Sequence, residues 1–210
     1  MPAPTIHTYT VVWNNEFILP YFLKHYEKFA DKIFIIDDHS TDRTAEIAKA
    51  HPKVEYSVYG FEGWDEDEVN DTFYSFYKNN PSDWAVVVDS DEFVQGLAPF
   101  TKMRGTKDVY KTEGYMMVGK TGRLEDCKPI RMRSWDKPIV FDPSLDVRFG
   151  DGRHTNNIIV QKLGLKLFHY KYPSREYYIK RNTEGYARYM DKKLADTMLK
   201  RGLKWFDNHV

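Results

Sequence analysis

Cysteine is almost missing from this 210-residue chain: Cys127 stands alone, so no internal disulfide and no multi-cysteine zinc site can form. An excess of charge is missing too. The 31 basic residues are balanced by 31 acidic ones, so nothing draws nucleic acid or an anionic membrane to the whole molecule, and any phosphate recognition must be local. No apolar run approaches the roughly 20 residues of a membrane-spanning helix, and the amino terminus lacks a signal-peptide pattern. These absences lead us to expect a soluble, cytoplasmic protein with no membrane span and no nucleic-acid partner. No Gly-x-Gly-x-x-Gly occurs, which disfavours a dinucleotide oxidoreductase, and a P-loop kinase is not expected either. Internal repeats, low-complexity tracts and long linkers are also absent.

A composition of 41% hydrophobic and 16% aromatic residues is enough to bury a sizeable core, and one domain is the default at this length. The most informative stretch is Trp84-Ala-Val-Val-Val-Asp-Ser-Asp-Glu-Phe93. Trp84 to Val88 is β-rich and too short for an independent helix, so it reads as a strand buried on both faces, as in a parallel sheet. It stops at Asp89-Ser90-Asp91, at the strand end where open α/β sheets bind ligands. Residues two apart in an extended chain share a face, so Asp89 and Asp91 can converge on one hard cation that carries phosphate oxygens. The alternative is an acidic turn in solvent.

Three further strand–helix units precede this one. Ile6 to Trp13 alternates as a strand and ends at Asn14-Asn15, and Glu16 to Phe29 follows at near-helical spacing with Pro20 tolerated near its start. Lys32 to Ile36 is a second strand, ending in Asp37-Asp38-His39-Ser40-Thr41-Asp42, a loop able to cap a helix over Arg43 to Ala50. Val54 to Tyr59 is a third strand, and Asp65 to Asn79 a helix with Val69, Phe73 and Phe76 as its apolar stripe. The order β-α-β-α-β-α-β over about 90 residues predicts right-handed crossovers and a mainly parallel central sheet with helices on both faces. Beyond Val94 the spacing predicts strands at Tyr110–Val118 and Ile139–Phe141. It predicts a hairpin-like pair at Asn157–Val160 and Leu163–Tyr170 around Gly164, and helices over Ser174–Met190 and Asp191–Lys200.

The ordered set Thr10-Val-Val-Trp-Asn14, Ile35-Ile-Asp-Asp-His-Ser-Thr-Asp-Arg-Thr44 and Val86-Val-Val-Asp-Ser-Asp-Glu92 resembles the nucleotide-sugar half of family 2 and related glycosyltransferases of the GT-A fold. The resemblance spans about residues 5 to 95 and echoes weakly to residue 190. It implies one GT-A-like α/β domain over residues 1–210, with a nucleotide-sugar-binding half to about 95 and an acceptor-binding, site-completing half after it. It further implies that Asp37 or Asp38 binds the nucleoside, beside groups at Val12, Trp13 and Asn14, and that Asp89 and Asp91 hold a divalent metal against the diphosphate of the donor, with Ser90 between them among the donor-binding residues. Carboxylate and phosphate oxygens suit Mn²⁺ or Mg²⁺. Where many members carry Arg-Asn before the Asp-x-Asp strand, this chain has Val69-Asn70, so only Asn70 can keep a donor contact there. The later acidic motif that supplies a catalytic base is not recognisable.

Phe168-His-Tyr-Lys-Tyr-Pro-Ser-Arg175 is similar to a His-Tyr segment before a Ser-initiated helix in small transferases of that fold. On this likeness His169 completes the metal site, and Lys171 and Arg175 face the diphosphate. His154, in Gly150-Asp-Gly-Arg-His-Thr155, competes for the metal role or touches the acceptor, unless the glycines mark only a hairpin turn. Trp64, Tyr115 and Trp135 are candidate sugar platforms. Asp151 is the base candidate among Glu113, Glu125, Asp126, Asp146 and itself, with Asp91 acting at the reacting diphosphate. Cys127 is expected to be structural.

The expected activity is metal-dependent transfer of a sugar from a UDP-sugar to a hydroxyl of a saccharide acceptor. The alternatives are a haloacid-dehalogenase-like metal-dependent phosphatase, whose Asp-x-Asp usually opens the chain, and a non-catalytic carbohydrate-binding domain.

Overall fold

The computed structural model describes residues 2–61 and 65–210, apart from the side chain of Tyr186. The described elements run β1 (Ile6–Val12), α1 (Leu19–Tyr26), β2 (Lys32–Asp37), α2 (Thr44–Lys49), β3 (Val54–Val58), α3 (Glu66–Asn79), β4 (Trp84–Val87) and β5 (Glu92–Gln95). They continue as β6 (Val109–Val118), β7 (Lys128–Arg131), β8 (Val140–Phe141), β9 (Val160–Tyr172), α4 (Arg175–Tyr189) and α5 (Lys192–Asp207). All nine strands join one mixed sheet in the order β3-β2-β1-β4-β8-β6-β9-β5, with β7 added on β6. The first four strands pair in parallel, and β8, β5 and β7 join antiparallel.

Alternation explains why the parallel half lacks a polar face. Ile33 and Ile35 of β2, with Trp84 and Val86 of β4, pack on Leu19, Phe22, Leu23 and Tyr26 of α1 and on Ala48 of α2. Their neighbours Phe34, Ile36, Ala85 and Val87 point the other way, onto Val69, Phe73 and Tyr77 of α3. Helices α1 and α2 therefore cover one face, and α3 the other. The chain builds outward from β1 to β3 and then returns to the far side of β1 for β4, so the topology switches direction between β1 and β4. Crevices at the carboxyl ends of such strands are where α/β sheets take ligands.

The second half departs from expectation in identifiable ways. No hairpin forms around Gly164: β9 is one 13-residue strand, and Gly164, at φ +67°, lies where the β6–β9 register shifts between Lys111 and Glu113. A β-bulge uses the same glycine that a turn would. Strands β5 and β7, of four residues each, are too short to leave a periodic signal. Helix α5 runs seven residues past the predicted end at Lys200, to Asp207, because Leu199, Leu203 and Phe206 keep packing on the β6–β9 end of the sheet. Gly114-Tyr-Met-Met-Val-Gly-Lys-Thr121 has the spacing of a P-loop, yet β6 runs through it to Val118 and the Gly119 N–H donates to the Tyr172 carbonyl at 2.8 Å. A P-loop needs N–H groups free for phosphate and a helix directly behind it, and this string supplies a paired strand. None of the described helices is long and apolar enough to cross a membrane.

Candidate active site

The acidic segment after β4 closes as a tight turn. Glu92 N–H donates to the Asp89 carbonyl at 2.9 Å, and Asp89 N–H donates to Glu92 Oε2 at 3.0 Å. The chain re-enters the sheet at once as β5, which pairs with β9 so that Glu92 lies opposite His169, and Tyr170 N–H donates to the Asp91 carbonyl at 2.7 Å. That register delivers His169 to Asp91: its Nε2 lies 3.3 Å from Asp91 Oδ2, and its Nδ1 faces Glu92 Oε1 at 4.0 Å.

Two buried cations bind the other carboxylate. Lys137 Nζ bridges Asp89 Oδ2 at 3.3 Å and Glu92 Oε1 at 2.5 Å, while the Arg153 guanidinium pairs with Asp89 Oδ1. Lys137 is placed by its own backbone, since its carbonyl accepts from Thr112 N–H at 2.8 Å and from Thr112 Oγ1 at 2.9 Å. Burial opposes ionisation of Asp89, but Arg153, Lys137 and His169 outweigh it and hold the carboxyl well below the usual range. Asp91 is likewise lowered, with His169 overcoming its burial. Burial lowers Lys171 despite the nearby Asp91 and Asp89, and burial raises Tyr177.

These groups line a cavity of about 410 Å³ over the carboxyl ends of β1, β2 and β4, within the size range of small-molecule sites. Val12, Trp13, Asp38, Asp89, Ser90, Asp91, Trp135, His154, His169 and Lys171 all line it, so most residues singled out from sequence are brought together. Trp135 stands between the two histidines, its ring centroid 5.4 Å from His154 and 4.6 Å from His169. Asp38 accepts from Arg188 at 2.8 Å and from the Tyr189 hydroxyl at 2.6 Å, and Arg188 lies 4.3 Å over the Trp13 ring.

Other candidates fall elsewhere. Asp37 is buried and satisfied by Ser40 N–H and the Tyr56 hydroxyl, so it braces the loop behind the cavity. Asn14 accepts from Thr41 N–H and lines a second cavity of about 330 Å³ against α4. Asn70 is buried on α3, away from the cavity lining, with neither amide atom partnered among the described residues. Arg175 is exposed and pairs with Asp207 instead of facing the cavity. Asp151, the base candidate, is exposed on the turn before Arg153, and Glu113, Glu125, Asp126 and Asp146 also lie off the cavity. Tyr115 packs against Phe168 and Arg131 on the sheet, away from the cavity, and Trp64 lies outside the described residues. The residues around Gly150 form a closed turn, bridged between Phe149 and Asn156. Cys127 is half-buried, and burial with Asp126 and Glu125 pushes its thiol up to about 11, which suits an inert side chain.

The cavity also contains residues that sequence reading passed over: Glu66, Lys137, Arg153, Arg181, Arg188 and Tyr189. Glu66 Oε1 accepts from Gly152 N–H at 2.9 Å, and its Oε2 is buried without a partner among the described residues.

Asp91 and His169 fit a divalent cation: a carboxylate oxygen and an imidazole nitrogen 3.3 Å apart face one space, and Glu92 beyond His169 is the kind of outer partner that orients such a ligand. Asp89, also expected there, has both its oxygens engaged by Arg153 and Lys137 in this structure. Among the described residues no group of three His, Cys, Asp or Glu side chains could enclose a metal, so the remaining positions would fall to ligand oxygens and water.

No family model and no curated protein matches the chain. Among solved structures it is similar to residues 1–349 of S. aureus TarS in complex with UDP-GlcNAc, at 15% identity and a TM-score of 0.49, over 95% of this chain and 71% of that one. It is also similar to glucosyl-3-phosphoglycerate synthase from Mycobacterium tuberculosis in complex with Mn²⁺, UDP and phosphoglyceric acid, at 17% identity and a TM-score of 0.38, over 54% of this chain and 43% of that one. HddC from Yersinia pseudotuberculosis is a third, at 9% identity and a TM-score of 0.42, over 84% and 97%.

Proposed function

We propose that the chain is a GT-A-type glycosyltransferase that moves a sugar from a UDP-sugar to a saccharide hydroxyl with the help of Mn²⁺ or Mg²⁺. The observation that carries this reading is the convergence of Trp13, Asp38 and the Asp89–Asp91 turn, from three parallel strand ends, on one cavity at the switch between β1 and β4. Each part suits one portion of such a donor. Trp13 offers a ring face, and Asp38 an acceptor, to the nucleoside, in exchange for the contacts they now make with Arg188 and Tyr189.

Asp91 and His169 would hold the cation, which would neutralise the departing diphosphate. Lys171, inside the same cavity, adds positive charge toward those phosphates, and Trp135 presents a ring to a sugar. TarS and glucosyl-3-phosphoglycerate synthase, bound to UDP-GlcNAc and to UDP with Mn²⁺, hold ligands of the same class.

Calorimetry with UDP, with and without Mn²⁺, tests the reading. Wild type is expected to bind UDP in a Mn²⁺-dependent way, and Asp91→Asn to lose that dependence. His169→Ala is expected to weaken Mn²⁺-dependent binding by about tenfold or more, the scale of disrupting a metal's support, and His154→Ala to weaken it less. UDP binding that ignores the metal, or no UDP binding, contradicts the proposal.

A further inference from the structure

Arg153 is 2% exposed and lines the cavity, with the carboxylates of Glu92 and Glu66 as well as Asp89 acting on its charge, yet only one of its nitrogens makes a hydrogen bond among the described residues. A guanidinium carries five N–H donors and accepts nothing. One nitrogen, Nη2, pairs with Asp89, while Nε and Nη1 are buried without a partner among the described residues. Buried donors are rarely left unmade, because the desolvation they suffer is not returned.

The backbone adds a second, independent observation. Arg153 sits at φ +60°, a left-handed conformation that a side-chain-bearing residue adopts at a cost, directly after Gly152 at φ +58°. The strained turn is tied down by Gly152 N–H on Glu66 Oε1 at 2.9 Å and by Gly150 N–H on the Thr155 carbonyl at 3.1 Å. Strain of this kind persists where the surroundings enforce it, and it gathers at ligand clamps.

Resting on the UDP-sugar reading above, we propose that Arg153 is the protein's own receptor for the β-phosphate of the donor. A donor-only group is best matched by an acceptor-only ligand, which describes a phosphate oxygen and not a sugar hydroxyl, and charge-assisted bonds of this type are the stronger ones. Lys137 cannot take the role, since its ammonium is already shared between Asp89 and Glu92. Arg153 belongs to the Asp89 end of the cavity, whereas Arg188 and Tyr189 engage Asp38 at the other end. The phosphate it reaches is therefore the one distal to the nucleoside. Asp89, held between Arg153 and Lys137, is in this arrangement the residue that positions the receptor.

The test is calorimetry of the full chain in saturating Mn²⁺ with UDP and with UMP, on wild type, Arg153→Gln and Arg153→Lys. Wild type is expected to prefer UDP. Arg153→Gln should lose about tenfold or more in UDP affinity, the scale of charged hydrogen bonds, with UMP affinity changed less than about twofold and showing that the pocket is intact. Arg153→Lys, which keeps the buried charge opposite Asp89, serves if the glutamine variant does not fold, and should still favour UDP less than wild type does. Equal losses for UDP and UMP, or none, would overturn the β-phosphate assignment and leave the donor reading standing. A wild type that binds neither nucleotide would overturn both.

Discussion

With a side chain 2% exposed, Lys137 holds its ammonium between Glu92, which is 0% exposed, and Asp89. Burying Glu92 is tolerable only with that counter-charge, and removing one member of such a pair leaves an uncompensated ion at a cost of about 3–5 kcal/mol. Lys137→Met is therefore expected to lower the urea midpoint sharply, and adding Glu92→Gln to the same chain should recover a large part of the loss. A single variant as stable as wild type, or a double variant no better than the single one, would show that the pair is not what makes the buried turn stable. The acids of this network were legible in the sequence because a buried strand runs directly into them. Its cations were not, since Lys137 and Arg153 lie 48 and 64 residues from the Asp89 they bind. A lone lysine entering an apolar strand at Lys137-Pro-Ile-Val-Phe141, and an arginine behind two glycines, are weak signals without the fold.

Among the elements, α4 decides the shape of the site, because it contributes Tyr177, Arg181, Arg188 and Tyr189 to the cavity wall. It is held from behind by α5, where Gly202 permits a close approach: a Cβ there would lie 1.7 Å from the Tyr178 hydroxyl oxygen. Gly202→Ala must displace the buried Tyr178 ring or push the helices apart, and overpacking of this sort costs about 1–3 kcal/mol. Urea denaturation should register that loss; unchanged stability would show that the α4–α5 contact yields freely. The α4–α5 pair was readable from helical periodicity, and in the structure the Asp191 side chain caps α5 at the N–H groups of Lys193 and Leu194. The β5–β9 pairing that carries His169 to Asp91 was not, because strand register between segments 78 residues apart leaves no local mark.

Across the whole molecule, the parallel half follows from strand–helix alternation and the rule of right-handed crossovers, which place α1 and α2 on one face and α3 on the other. The second half obeys no such rule, yet its strands and turns bring His169, Lys137 and Arg153 to the acidic end of β4. A crystal structure of the chain with UDP and Mn²⁺ bound tests this division of labour most directly. We predict the uracil beside Trp13 and Asp38, Asp91 and His169 on the metal, and the β-phosphate within hydrogen-bonding reach of Arg153. A nucleotide seated outside this cavity, for instance in the neighbouring one between Asn14–Ile18 and α4, would contradict it.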